Sequence, residues 1–252
     1  MVGDIFIKKE RLMPTYYSHK KLPGFTAFQL KIIAMVTMVI DHLAIVFIIP
    51  LMTSSPDLPF LHQVYFCFRF IGRLSFPLFA FLLAEGFIHT SSRRKYAVRL
   101  GVLAVISEIP FNMLISGRLW DIGFQNIFFT LLISLLTLIA MEKWRKHIIF
   151  QILAVVVGMV VSWGIKSDYC FWGVAFIAAM YQLRNKKEER LIIGSIILIC
   201  MIQATFEVGY LLVFFLIGRY NGRQGMKTGY FPYIFYPLHM IVLTAVKMAI
   251  NI

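Results

Sequence analysis

The stretch KIIAMVTMVIDHLAIVFIIP, residues 31–50, decides how the chain is read. Apart from Lys31, Thr37 and the adjacent pair Asp41-His42, every side chain in it is apolar. Roughly 20 such residues are what a helix needs to cross about 30 Å of hydrocarbon. Lipid offers the backbone no hydrogen bonds, so a run of this kind satisfies its own amides as a helix. Working outward, comparable runs cover 27–51, 64–90, 96–116, 123–141, 147–165, 169–183, 191–205, 207–218 and 232–251. The expected fold is therefore all-α, a polytopic membrane protein with about nine transmembrane helices. The seventh and eighth runs are short, which leaves eight or ten open.

Composition points the same way. Of the 252 residues, 60% are hydrophobic and only 15% charged, whereas a soluble domain is nearer half and a quarter. A net charge of +13 invites a nucleic-acid reading, but the placement of the charges opposes it. Lys8, Lys9, Arg11, Lys20 and Lys21 precede the first run. Arg93, Arg94, Lys95 and Arg99 follow the second, and Lys143, Arg145 and Lys146 the fourth. Arg184, Lys186, Lys187 and Arg190 follow the sixth; Arg219, Arg223 and Lys227 follow the eighth. These 19 all fall on one side if the runs alternate across a bilayer, and only Arg118 and Lys166 fall on the other. Positive charge stays in the cytoplasm, so the N-terminus is expected inside and the C-terminus outside. Residues 1–26 then form a basic cytoplasmic tail with no apolar leader segment, and 27–252 a single transmembrane domain. Cys67, Cys170 and Cys200 are widely spaced with no CxxC pair, so no metal site is expected. No internal repeat is evident.

The polar residues inside the runs carry the functional reading. A charge near the bilayer centre costs about 2.5–3.5 kcal/mol, so each one needs a reason. At a rise of about 1.5 Å per residue, Asp41-His42 lies about 15 Å from Lys31, close to the midplane. A neutral imidazole there can take a proton, and a carboxylate can orient it; the alternative is a helix-packing pair. Arg69 and Arg73 are four apart and share a face, ahead of Pro77, which is expected to kink the helix. Their guanidiniums suit a carboxylate, a phosphate or a developing oxyanion; the alternative for Arg69 is snorkelling to the surface. Glu108 and Asn112, with Gln125 and Asn126, are placed towards the outer side, either at the site or as packing polars. Glu85, His89, Tyr236 and His239 are placed towards the cytoplasm, and Glu207 at a solvated outer turn. Ordered by depth, these residues trace a polar line across the membrane.

Five blocks in order, LKIIAMVTMVIDHLAIVF, RFIGRLSFPLFAFLLAEGFIHT, YAVRLGVLAVISEIPFN, QNIFFTLL and FYPLHM, resemble the TraX family over roughly residues 28–245. That family is similar to wider groups of transmembrane acyltransferases, the acyltransferase-3 proteins among them. The resemblance implies a bacterial cytoplasmic-membrane acetyltransferase that takes its acetyl group from cytoplasmic acetyl-CoA. The acceptor would be an extracytoplasmic amine or hydroxyl on a protein N-terminus, glycan or lipid, a pilin N-terminus being one candidate. By block position His42 matches the catalytic histidine and Asp41 belongs to the same dipeptide. Arg69, Arg73, Glu108, Asn112, Gln125 and Asn126 are then expected at the oxyanion or substrate. Glu85, Tyr236 and His239 are expected on the acyl-CoA side. Lys31 stands where acyltransferase-3 proteins often carry arginine, so that role does not transfer. No metal and no nucleic-acid partner are expected. The alternatives are a proton-coupled transporter using the same polar path and a non-catalytic scaffold.

Overall fold

A computed structural model describes residues 24–203 and 205–250. All but three residues of the expected tail, 1–26, lie outside that range, as does the end of the ninth run. The described residues are helical and form no strand beyond two isolated bridges, Phe25 with Tyr220 and Gln125 with Ser167. The helices are α1 (Ala27–Ser54), α2 (Phe60–Gly72), α3 (Ser75–His89), α4 (Arg93–Ile115) and α5 (Ile127–Lys143). They continue with α6 (Ile148–Gly164), α7 (Cys170–Gln182), α8 (Lys187–Cys200), α9 (Thr205–Gly218) and α10 (Phe231–Ala249). A helix thus coincides with each of the nine apolar runs. Four segments are long and apolar enough to cross a membrane: Ala27–Ser54, Phe60–His89, Arg93–Ile115 and Phe231–Ala249.

Local chemistry explains the irregular places. α1 starts with a capping box, in which the Thr26 hydroxyl accepts from Gln29 N–H and the Gln29 side chain accepts from Thr26 N–H. Just after His42 the helix widens into a π-turn over Ala44–Ile48. Pro50 has no N–H for the Val46 carbonyl, and a wider turn accommodates that gap. The kink expected at Pro77 is instead a break at Arg73 and Leu74, where α2 ends and α3 begins. Proline removes the bond to the carbonyl four residues earlier, that of Arg73, and is itself tolerated in the first turn of a new helix. α8 begins at Lys187, so Lys187 and Arg190 are helical rather than loop residues. α9 is 3-10 helix over Thr205–Leu212 and α-helix over Val213–Gly218. At about 2.0 and 1.5 Å per residue, its 14 residues extend about 25 Å, more than an α-helix of that length.

α3 is the hub, packing against α1, α5, α7 and α9 and burying Phe76, Leu78, Phe81, Leu83 and Phe87. Outward faces are apolar as well: Val98, Val105, Ile106 and Ile109 on α4 and Ile149, Ile152, Val156 and Val160 on α6 are exposed. Helices apolar on all sides are what a lipid environment selects.

Candidate active site

His42, midway along α1, meets His239 of α10: Nδ1 of the first lies 2.8 Å from Nε2 of the second, with the rings 17° from parallel. His239 Nδ1 is 3.0 Å from the Phe235 carbonyl, which can only accept. In the neutral pair the proton on His239 therefore sits at Nδ1, and its Nε2 accepts from His42 Nδ1–H. That assignment leaves His42 Nε2 with a lone pair, the nitrogen of a base or nucleophile. His239 was expected on the acyl-CoA side; it stands directly against His42.

Asp41 turns the other way. Its carboxylate takes Arg69 Nη1 at 2.7 Å and Arg73 Nη2 at 2.7 Å, all three side chains being largely buried. A carboxylate was expected to orient His42; the orienting contact comes from the His239 ring instead. Arg69 does not snorkel to the surface. Arg73 also donates to the Tyr210 hydroxyl at 3.2 Å and lies 3.9 Å from Glu207. Glu207, expected in solvent, accepts from Gln203 N–H and faces this arginine. Phe206 lies against both guanidiniums, 5.1 Å from Arg69 and 6.0 Å from Arg73. Gly72 makes room for the clamp, since a Cβ there would overlap the Asp41 carboxylate.

The remaining expected residues separate into two places. Glu108 accepts from the Asn126 side chain, which also donates to the Ala104 carbonyl at 2.8 Å and accepts from Phe128 N–H at 3.0 Å. Asn126 is the N-cap of α5, so this pair braces α4 against the start of α5. Asn112 is buried on α4, one turn beyond Glu108. Gln125 uses its backbone, accepting from Asp168 N–H at 2.9 Å and donating to the Lys166 carbonyl at 3.1 Å. Glu85 bonds Arg190 of α8 at 3.4 Å and lies 3.9 Å from exposed His89.

A cavity of about 700 Å³ joins these elements, within the range of small-molecule sites. Of the 11 expected site residues, Asp41, His42, Glu85 and Tyr236 line it. Its inner end is at Asp41 and His42; at the other end stand Lys31, Arg99, Lys227 and the loop 222–229. Two further lining residues escaped the sequence reading, Asp168 and Tyr169. They sit on the tight connection between α6 and α7, where Lys166, Tyr169 and Cys170 all have positive φ. The ring of Tyr169 stacks on Phe76 at 3.7 Å. Burial raises the Asp168 carboxyl from its ordinary 3.8 to about 7, against the pull of Arg73. An aspartate on a connection only a few residues long between two apolar runs was the available signal.

All-helical architecture, apolar outward faces and a histidine pair beside an internal cavity define the class: a helical membrane protein with an internal cavity. The sequence model of the TraX protein family matches residues 27–247, and the chain belongs to that family. It is 30% identical over 251 residues to the probable fimbrial assembly protein FimC, serogroup H1, of Dichelobacter nodosus, covering 89% of this chain and 96% of that protein. No solved structure matches the chain.

Proposed function

We propose that this protein is a membrane acetyltransferase. It moves an acetyl group from cytoplasmic acetyl-CoA to an amine or hydroxyl at the outer face of the bacterial cytoplasmic membrane. In this reading the chain crosses nine times with its N-terminus inside, the arrangement that keeps 19 cations in or beside the connections on the cytoplasmic side. The basic end of the cavity then faces the donor. The observation that carries the reading is the His42–His239 pair: a lone-pair nitrogen held at the inner end of a chamber that opens at a basic mouth.

The chemistry follows from that nitrogen. His42 Nε2 takes the proton from the acceptor's N–H or O–H as that atom attacks the thioester carbonyl carbon. The imidazolium keeps its Nδ1–H bond to His239, which stabilises the charge and fixes the ring. The tetrahedral adduct collapses, the C–S bond breaks, and the thiolate leaves with the proton from His42. In the two-step variant, Nε2 itself attacks the thioester carbonyl carbon, the C–S bond breaks and the thiolate leaves. The acceptor then attacks the acetyl carbon, the Nε2–acetyl bond breaks, and the proton that the acceptor gives up neutralises the thiolate. In this reading Tyr236, one turn before His239 and lining the cavity, donates to the thioester oxygen. Arg69 and Arg73 are engaged by Asp41 and serve to hold α1, α2 and α9 around the dyad.

A relative concerned with fimbrial assembly makes the N-terminus of a fimbrial or pilin subunit the first acceptor to test. Cells labelled with isotopic acetate, parent against deletion strain, are expected to differ by one labelled extracytoplasmic species, which names the acceptor. Identical labelling, with solute uptake into vesicles that proceeds without thiol release, would favour a proton-coupled transporter.

A further inference from the structure

The cavity mouth is built differently from its interior. Lys31 reaches from the second turn of α1 and donates through Nζ to Thr228 Oγ1 at 3.1 Å. Arg99 enters from α4, its guanidinium 5.7 Å from the Tyr96 ring, and Lys227 from the loop 219–229. Among the described residues none of these three cations has a carboxylate within salt-bridge distance. Three carboxylates line the cavity: Asp41, paired with Arg69 and Arg73; Glu85, paired with Arg190; and Asp168, on the α6–α7 connection. The mouth is therefore a concentration of uncompensated positive charge around an opening, the arrangement that attracts and holds phosphate.

The loop is fixed in place rather than draped. Phe25 N–H donates to the Arg219 carbonyl at 2.9 Å, and Ala27 and Phe28 N–H donate to the Arg223 and Gln224 carbonyls at 2.8 and 3.0 Å. Gly222, Gly225 and Gly229 have φ of +74°, +71° and +54°, left-handed turns that fold the segment back across the start of α1. A side chain at Gly225 would strike Thr26 and Phe28. The N-terminal amides of α1 are occupied by these carbonyls, so the anion must be held by the three cations and the strap, not by the helix end.

We infer that the strap 222–229, with Lys31, Arg99 and Lys227, is a phosphate-binding site that holds the diphosphate of the acyl donor. Spacing supports it. Lys31 and His42 are 11 residues apart on one helix, about 16 Å along the axis, and an extended pantetheine arm bridges such a gap. Phosphates at the strap then place the thioester beside His42. The inference rests on the acetyltransferase reading.

The test measures CoA binding by calorimetry to the full chain in phosphatidylcholine nanodiscs. CoA is expected to bind, 3′-dephospho-CoA, which keeps the diphosphate, to retain most of that affinity, and phosphate-free pantetheine not to bind measurably. Lys227→Gln, at an exposed position, and Arg99→Gln are each expected to weaken CoA by about tenfold, one charge-assisted hydrogen bond's worth. Unchanged affinity in both variants, or equal binding of CoA and pantetheine, overturns the assignment. So does loss of CoA binding when phosphatidylglycerol replaces phosphatidylcholine, because the site then belongs to a lipid headgroup. His42→Ala separates the two levels of the argument. It is expected to bind CoA normally while losing thiol release, and retained thiol release would sink the catalytic reading without touching the strap.

Discussion

His42 Nδ1 and His239 Nε2 are 2.8 Å apart although 197 positions separate them in the chain, and the Phe235 carbonyl fixes which way the proton between them points. A histidine oriented by a second histidine keeps its distal nitrogen unprotonated without any carboxylate contact. That leaves Asp41 free to serve as the counter-ion of two arginines.

On the acetyltransferase reading, His239 acts as a positioning residue for His42. His239→Ala is expected to lower kcat for thiol release by about 10- to 100-fold, the usual cost of losing a partner that orients a reacting ligand. The KM for acetyl-CoA should change little. His239→Gln, whose amide oxygen can accept from His42 Nδ1–H, should recover part of the rate. Equal loss in both variants would mark a packing role instead.

Removing Arg73 leaves Asp41 with Arg69 alone and takes the bonded partner from Tyr210. Breaking a buried ion pair costs about 3–5 kcal/mol, so Arg73→Ala should unfold at markedly lower temperature in detergent. Asp41→Asn/Arg73→Gln should lose less than the two single changes combined, because the Asp41–Arg73 pair is broken only once, while Arg69 loses its carboxylate just as it does in Asp41→Asn.

Asp168 binds its proton more tightly in the folded chain, from 3.8 to about 7, so its stabilising share is complete below 3.8 and is lost as pH rises towards 7. Asp168→Asn has no such loss. Its melting temperature relative to the parent is expected to improve steadily across that window. Parallel melting profiles for the two proteins would contradict the burial assigned to Asp168.

Gly209, in the 3-10 part of α9, lies directly on the α2 backbone at Phe70, where an added Cβ would overlap the carbonyl. Gly209→Ala must push α9 away and with it Tyr210. A loss of about 1–3 kcal/mol is expected from such overpacking, readable as a lower melting temperature.

The helices were legible because lipid imposes a single rule on backbone amides, and 20 apolar residues in a row announce it. Their interruptions were half legible. Pro50 and Pro77 mark the trouble, but the consequence appears at the carbonyls they abandon, in the π-turn after His42 and the break at Arg73. Partners across the fold were not legible, since periodicity says which face a side chain occupies and nothing about which helix it meets. Charge accounting offered one clue: Asp41 and Arg73 both lie well inside the first two runs, and opposite charges buried together pair. Asp168 lay outside every apolar run and drew no attention. Glu108 and Asn126 read equally as site residues or as packing polars in the sequence, and their mutual bond joins α4 to the start of α5.

On the proposed function, the nitrogen that His239 leaves bare on His42 drives the acetyl transfer. The most direct test is release of free CoA from acetyl-CoA by the purified full chain in nanodiscs, with a small amine as acceptor, compared with His42→Ala folded to the same melting temperature. The account predicts steady thiol release by the parent and none above background by the variant. Equal release by both proteins, or by neither in the presence of the true acceptor, would contradict it.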